Sequence, residues 1–195
     1  MVAGIVLAAG MSTRMGELKP LLPFEGKPAI RWIVEVLSQS LEQVVVVLGH
    51  RAGEIAPALL DTSAQCIVNS AYREGMLSSV QCALKSIDEK ADYMICLGDQ
   101  PRLNGEVVEQ VLAAAEVGDR GIYIPTFAGK RGHPILIDNV YRTEILRLPL
   151  DLGLNVVTRG HAEDTCEIPV AQATILDDMD TPADYLRELE QWPKE

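Results

Sequence analysis

No apolar stretch in this sequence approaches the length of a bilayer span, and its start lacks the cationic stretch and apolar core of a secretory signal. Both absences predict a soluble, cytoplasmic protein with no membrane partner. Positive charge is scarce as well. Seventeen Lys and Arg stand against 28 Asp and Glu, a net charge of −11, which argues against nucleic acid as a partner. The four cysteines, Cys66, Cys82, Cys96 and Cys166, form no C-x-x-C pair, and none has a histidine at zinc-ligand spacing. They read as reduced thiols packed in the interior. The three histidines are scattered. Two familiar phosphate loops are missing too: no Lys-Ser/Thr pair follows a glycine loop, and there is no G-x-G-x-x-G.

What is present is a substantial apolar fraction, 48% of 195 residues, enough for one sizeable core and a single domain over 1–195. Short β-branched runs at 2–7, 44–48, 66–69 and 93–97 read as buried strands. Between them lie helical patterns. One starts at Pro28 and carries the stripe Ile30, Ile33, Val34 and Leu37. Others run over 54–60, from Met76 to about Ile87, and from an N-cap at Asn104 to Ala115. Residues 122–125 and 134–137 flank a turn at 129–132. Short helices are expected over 140–148 and 152–159, strands at 165–170 and 173–176, and a last helix over 183–191. Strands alternating with helices imply an α/β, Rossmann-like fold, a mostly parallel sheet with helices on both faces. In such sheets ligands bind beyond the carboxyl ends of the strands.

One such end opens the stretch LAAGMSTRMGELKPLLPFEGKP, from Leu7 to Pro28. Leu7, Ala8, Ala9 and Gly10 end a strand with almost no side chain, which lets a ligand approach the backbone closely. Arg14 lies between Gly10 and Gly16, and Lys19 follows. Backbone N–H groups and two cations make a cradle for phosphates. The charge is placed to match: in residues 1–31 Arg14, Lys19, Lys27 and Arg31 outnumber Glu17 and Glu25, whereas residues 140–195 hold twelve acidic side chains against five basic ones.

Asp99 ends another apolar strand, in Gly98-Asp99-Gln100-Pro101. An acidic residue there can hold Mg2+ against nucleotide phosphates, or cap the helix that begins near Asn104. Asp178 and Asp180 lie in a second acidic cluster before the last helix. On a strand they would share a face, while Asp180 could instead be the N-cap of that helix. The sequence leaves open which of the two would be a metal ligand. Gly75-Met76-Leu77-Ser78-Ser79 opens a helix with small and hydroxyl residues, suited to an anion or the polar edge of a base.

Taken together, these stretches resemble the nucleotidyltransferases related to the molybdenum-cofactor enzymes. The family's L-A-[AG]-G-x-S-x-R-M-G-x-x-K and L-L-P-x-x-G-x-P are present from Leu7 to Pro28. They are followed in order by G-M-x-x-S at Gly75, G-D-x-P at Gly98, R-G-H-P at Arg131 and D-x-D-T-P-x-D at Asp178. The chain looks most like the molybdenum cofactor cytidylyltransferases, which transfer CMP from CTP to molybdopterin and release pyrophosphate. The Ala8-Ala9-Gly10 loop is similar to the cytidylyl enzymes, whereas guanylyl relatives carry Ala-Gly-Gly. The resemblance implies catalytic roles for Arg14, Lys19 and Asp99. It implies nucleotide contacts from Leu7, Ala8, Ala9, Gly10, Arg14, Lys19, Gly75, Ser79 and Asp99, with the base near Gly75 and Ser79. It also implies acceptor contacts from Arg131, Gly132 and His133, and Mg2+ held by Asp99 with Asp178 or Asp180. One departure stands out. Where the family commonly has G-D-x-G-A-R, this chain has Leu150-Asp151-Leu152-Gly153-Leu154-Asn155. The readings that remain open are another phosphorylated acceptor, GTP as donor, a glycosyltransferase using Asp178-Met179-Asp180, and a non-catalytic cofactor-binding partner of a molybdenum enzyme.

Overall fold

The computed structural model describes residues 1–193. The apolar runs form the strands, and turn residues end them. β1 (Val2–Ala8) leads into the glycine loop, a 3-10 turn at Lys19–Leu21, and a two-residue hairpin of β2 (Pro23–Phe24) with β3 (Lys27–Pro28). Then come α1 (Ala29–Ser40), β4 (Gln43–Leu48), α2 (Ala52–Ile55), β5 (Gln65–Val68), α3 (Met76–Leu84) and β6 (Asp92–Leu97). α2 passes into a 3-10 turn at Ala56–Leu59, where Pro57 cannot donate to the preceding turn. α4 (Gly105–Val117) starts at the expected cap: the Asn104 side chain accepts from Glu106 N at 2.8 Å. The remaining elements are β7 (Ile122–Phe127), β8 (Lys130–Arg131), β9 (Ile135–Ile137), α5 (Arg142–Arg147), α6 (Asn155–Gly160), β10 (Thr165–Pro169) and α7 (Pro182–Glu190).

The main sheet has the order β10-β7-β9-β6-β1-β4-β5, with β8 hairpinned onto β7. β1 is the centre of a parallel array, pairing β4 and β6 in a register that sets Val6 beside both Val46 and Cys96. β9 runs antiparallel between β6 and β7. Alternation along the strands divides the core in two. Val6, Val46, Met94 and Cys96 face α1 and α4. Ile5, Val45, Val47, Tyr93 and Ile95 face α3, α5 and α6. A sheet clad on both faces needs strands apolar along nearly their whole length, as β4 is from Val44 to Leu48. Among the described residues no helix is long and apolar enough to cross a membrane.

One expected strand is absent. Ala173–Leu176 is a 3-10 turn. β7 already has β10 on one side and β8 and β9 on the other, so it has no free edge for this segment to join. Its Ile175 is buried, and the Ile175 carbonyl accepts from His133 N at 3.1 Å. A third apolar cluster joins the two ends of the chain. Met15, Leu22, Phe24, Ala29 and Met179 pack with Trp32, Tyr185 and Trp192, and the Tyr185 hydroxyl donates to Pro23 O at 2.8 Å. This places the segment before α7 beside the loop after β1.

Candidate active site

The carboxyl ends of β1 and β6 and the start of α3 enclose a cavity of about 330 Å3. Its floor is backbone. Gly98 lies so close to β1 that a Cβ there would sit 2.8 Å from Leu7 O and 2.9 Å from Ala8 Cβ. Leu7, Ala8, Ala9 and Gly10 form one wall. Gly75 and Ser79 form another stretch of its wall, and Lys19 and Asp99 line it as well. Eight of the residues expected to meet a nucleotide thus line one space.

The loop after β1 is wound tightly. Ser12 adopts a left-handed φ of 53°, its carbonyl accepts from Met15 N and Gly16 N, and its hydroxyl accepts from Lys19 N at 3.3 Å. That turn delivers the two cations. Lys19 Nζ donates to Asp99 Oδ2 at 3.0 Å and to Asp180 Oδ1 at 2.6 Å. Arg14 Nη2 lies 2.7 Å from the other oxygen of Asp180, with its side chain 69% exposed. Burial pushes the Lys19 ammonium down, but the hydrogen bond to Asp180 and the charge of Asp99 outweigh it and leave its pKa raised. Asp180 is held below the usual carboxylate range, first by its hydrogen bond from Lys19.

Asp178 sits on the same segment. Its Oδ1 accepts from Gln100 Nε2 at 3.0 Å. Its pKa is raised, by burial and then by the charge of Asp99, which outweigh the Gln100 hydrogen bond. The segment 177–180 is irregular, yet it keeps the alternation of a strand: Met179 is fully buried between Asp178 and Asp180. Neither aspartate caps α7. Thr181 does, accepting from Asp184 N at 3.3 Å while Asp184 Oδ2 accepts from Thr181 N at 2.7 Å. The alternative in which Asp180 caps α7 is thereby set aside, because a reciprocal Thr–Asp box satisfies the first turn without it. Asp99 does not cap α4 either, since Asn104 does.

The start of α3 is anchored from β5. Gly75 has φ of 103°, a backbone that L side chains rarely adopt. Asn69 Nδ2 donates to Ser78 Oγ at 2.8 Å and to Ser79 Oγ at 3.1 Å, and its Oδ1 accepts from Ala71 N at 2.9 Å. Tyr72, Arg73 and Met76 complete this wall. Met76 belongs to the G-M-x-x-S motif, but the sequence motifs did not include Tyr72, Arg73 or Asn69, although Asn69 directly follows a strand, the place where ligand-facing residues collect. The Arg73 guanidinium lies 5.8 Å from the centroid of the Tyr72 ring.

The Arg131-Gly132-His133 segment is divided. Gly132 is buried against Ile175, where a Cβ would lie 2.4 Å from the Ile175 carbonyl. His133 is near enough to Asp99 to feel its charge, but burial dominates and pushes its pKa down to about 4. Arg131 is engaged elsewhere: its Nε donates to Glu167 Oε1 on β10 at 2.7 Å. Among the described residues no group of three His, Cys, Asp or Glu side chains is gathered as for a metal ion. The nearest arrangement is Asp99 and Asp180, which share one ammonium.

The chain is 27% identical to the molybdenum cofactor cytidylyltransferase of Escherichia coli K12 over 192 residues, 96% of this chain and 95% of that protein. It is 29% identical to a probable molybdenum cofactor guanylyltransferase of Bacillus cytotoxicus over 135 residues, 69% of this chain and 66% of that one. The crystal structure of Rv0371c from Mycobacterium tuberculosis superposes with a TM-score of 0.85 and 26% identity, covering 97% of this chain and 98% of that one. Residues 4–165 match the MobA-like NTP transferase domain. With that match covering most of the chain, and a glycine loop, two cations and three carboxylates meeting at the strand ends, the protein belongs to the MobA-like NTP transferases, a family of nucleotidyltransferase enzymes.

Proposed function

We propose that this protein transfers CMP from CTP to molybdopterin, with Mg2+, and releases pyrophosphate. The observation that carries the reading is Lys19, held between Asp99 and Asp180 in the lining of a cavity walled by Leu7 to Gly10. In this reading Lys19 offers a cation to the phosphates, and Gly75 and Ser79 offer small residues to the base. Ser79 already accepts from Asn69, so its own proton is available to a ligand. The Ala8-Ala9 wall and the relative from E. coli both favour CTP.

The donor set fits a hard divalent ion. Mg2+ is usually bound by one or two carboxylates, with substrate phosphates and waters completing its shell. Asp99 and Asp180, with Asp178 beside them, would supply those carboxylates. When bound, Mg2+ neutralises charge on the phosphate oxygens. The chain's own residues position and compensate. A phosphate oxygen of the acceptor forms a bond to the α-phosphorus in line with the bond to the leaving pyrophosphate, which breaks. An ionised phosphate needs no general base. That agrees with His133, whose pKa of about 4 leaves it a weak base. Arg14 and Lys19 meet the charge that grows on the departing pyrophosphate.

The test is pyrophosphate release from each nucleoside triphosphate with molybdopterin added, beside calorimetric binding of CTP and GTP. CTP should be the tighter ligand and the better donor. Equal or tighter binding of GTP would move the protein to the guanylyl branch. One observation favours a second reading: Arg131 is paired with Glu167 rather than open to an acceptor. Transfer to a different phosphorylated acceptor would show as pyrophosphate release that molybdopterin does not stimulate and another phosphate ester does.

A further inference from the structure

Asp178 and Asp180 reach the site on an irregular segment, which has no strand ladder to fix it. Functional carboxylates must nevertheless be held to within roughly half an ångström to be useful. The residues after β6 supply the fixing. Met179 N donates to Asp99 O at 3.2 Å. Gln100, itself buried, bonds Asp178 at 3.0 Å. Arg102 then reaches past the site: its Nη2 donates to Asp177 Oδ2 at 2.8 Å.

Arg102 is anchored in turn by α7. Its Nε donates to Glu188 Oε2 at 2.7 Å, and its Nη2 lies 3.2 Å from Glu188 Oε1 and 2.8 Å from Gln191 Oε1. Glu188 is fully buried and the Arg102 side chain only 14% exposed. A forked guanidinium held at both nitrogens by one carboxylate has a fixed direction, which a lysine would not give. Buried ion pairs are weak evidence for stability, because desolvation offsets much of their attraction. Their best-attested use is to fix one arrangement over others. Arg102 does not line the cavity. What it fixes is the residue next to Asp178.

We infer that Arg102 is a positioning residue. Through Asp177 and Glu188 it locks the 177–180 segment and α7 against the Asp99 loop, and so sets the carboxylate geometry that receives the divalent cation. This rests on the metal reading above.

Asp177→Asn tests it with least disturbance, because Asp177 is 29% exposed and Glu188 still pairs with Arg102. The probe is Mn2+, counted by the paramagnetic resonance of the free ion with saturating CTP. Mn2+ affinity of the protein–CTP complex should fall roughly ten- to hundredfold, as for other groups that orient metal ligands from behind. CTP affinity in EDTA should stay as in the unmodified protein. A second variant, Arg102→Met with Glu188→Met, removes the whole ion pair without leaving a lone buried charge. It should show the same Mn2+ loss at a Tm near or above that of the unmodified protein. A lowered Tm with unchanged Mn2+ affinity would make the network merely structural and overturn the inference. If the unmodified protein with CTP holds Mn2+ no better than CTP alone, the metal reading fails and this falls with it. If the unmodified protein behaves as expected and both variants match it, this inference alone fails.

Discussion

Lys19 is the residue on which the site turns. It comes from a loop wound on Ser12 and bonds two carboxylates that reach it from β6 and from the segment before α7. Its raised pKa keeps it an ammonium throughout the neutral range. Lys19→Ala should remove a contact that strengthens as charge moves onto pyrophosphate, a cost of about 2–4 kcal/mol, or a roughly thirty- to thousandfold loss of rate. Turnover at the unmodified rate, with an unaltered circular dichroism spectrum, would deny Lys19 this part. His133 makes a pH prediction. Its folded pKa of about 4 lies below the ordinary 6.5, so between these values the unfolded chain binds more protons than the folded one. Its stabilising contribution is therefore complete above pH 6.5 and is lost as pH falls through about 4, a change of about 3 kcal/mol. His133→Asn should flatten the dependence of Tm on pH across that window, measured against the unmodified protein so that the carboxylates cancel.

At the scale of elements, what the sequence made legible was whatever local chemistry decides. The β-branched runs became the parallel strands, because a sheet covered on both faces wants strands apolar along nearly their whole length. Asn104 capped α4 because a side chain there accepts from Glu106 N whatever else the chain does. Two things were not legible. The Ala173–Leu176 run has the composition of a strand, but pairing is decided by which sheet edges are free, a property of distant residues. The choice of cap before α7 was the other. Asp180 and Thr181 are both good caps, and the decision rests on Asp184 bonding back to Thr181. Thr181's hydroxyl and N–H together hold the Asp184 carboxyl down at about 2. Thr181→Ala should cost about 1 kcal/mol in urea unfolding. Asp184→Ala should cost a similar amount, and the double variant less than the two combined, since each removes one half of a shared box. Additive costs would mean that the two halves act separately.

At the scale of the whole molecule, the site exists because both ends of the chain return to one place. The cluster of Met15, Phe24 and Met179 with Tyr185 and Trp192 seats the segment before α7 beside the loop after β1. No sequence spacing announces such a meeting, and the Arg102–Glu188 pair, 86 residues apart, is equally silent until the chain folds. The consequence is electrostatic. Arg14 and Lys19 bring two positive charges to the site, while Asp99, Asp178 and Asp180 bring three negative ones, on a protein of net charge −11. A triphosphate approaching without a divalent ion meets carboxylates that repel it at close range, and a lysine with two of its three donors already engaged. Asp99→Asn should therefore act in opposite directions on two observables. On the proposed metal reading, Mg2+-dependent turnover should be abolished, since Asp99 would be one of the ion's carboxylates. Binding of CTP in EDTA should be unchanged or tighter, because one repelling charge has been removed and Lys19 has lost the carboxylate 3.0 Å away that competes with phosphate for it. Asp180→Asn should follow the same pattern if Asp180 serves the ion, with the added release of Arg14. Equilibrium CTP binding in EDTA, set beside turnover in Mg2+, reads both arms on one preparation. Weaker metal-free binding together with retained Mg2+-dependent activity would make Asp99 a support for Lys19 alone and would move the metal away from the end of β6.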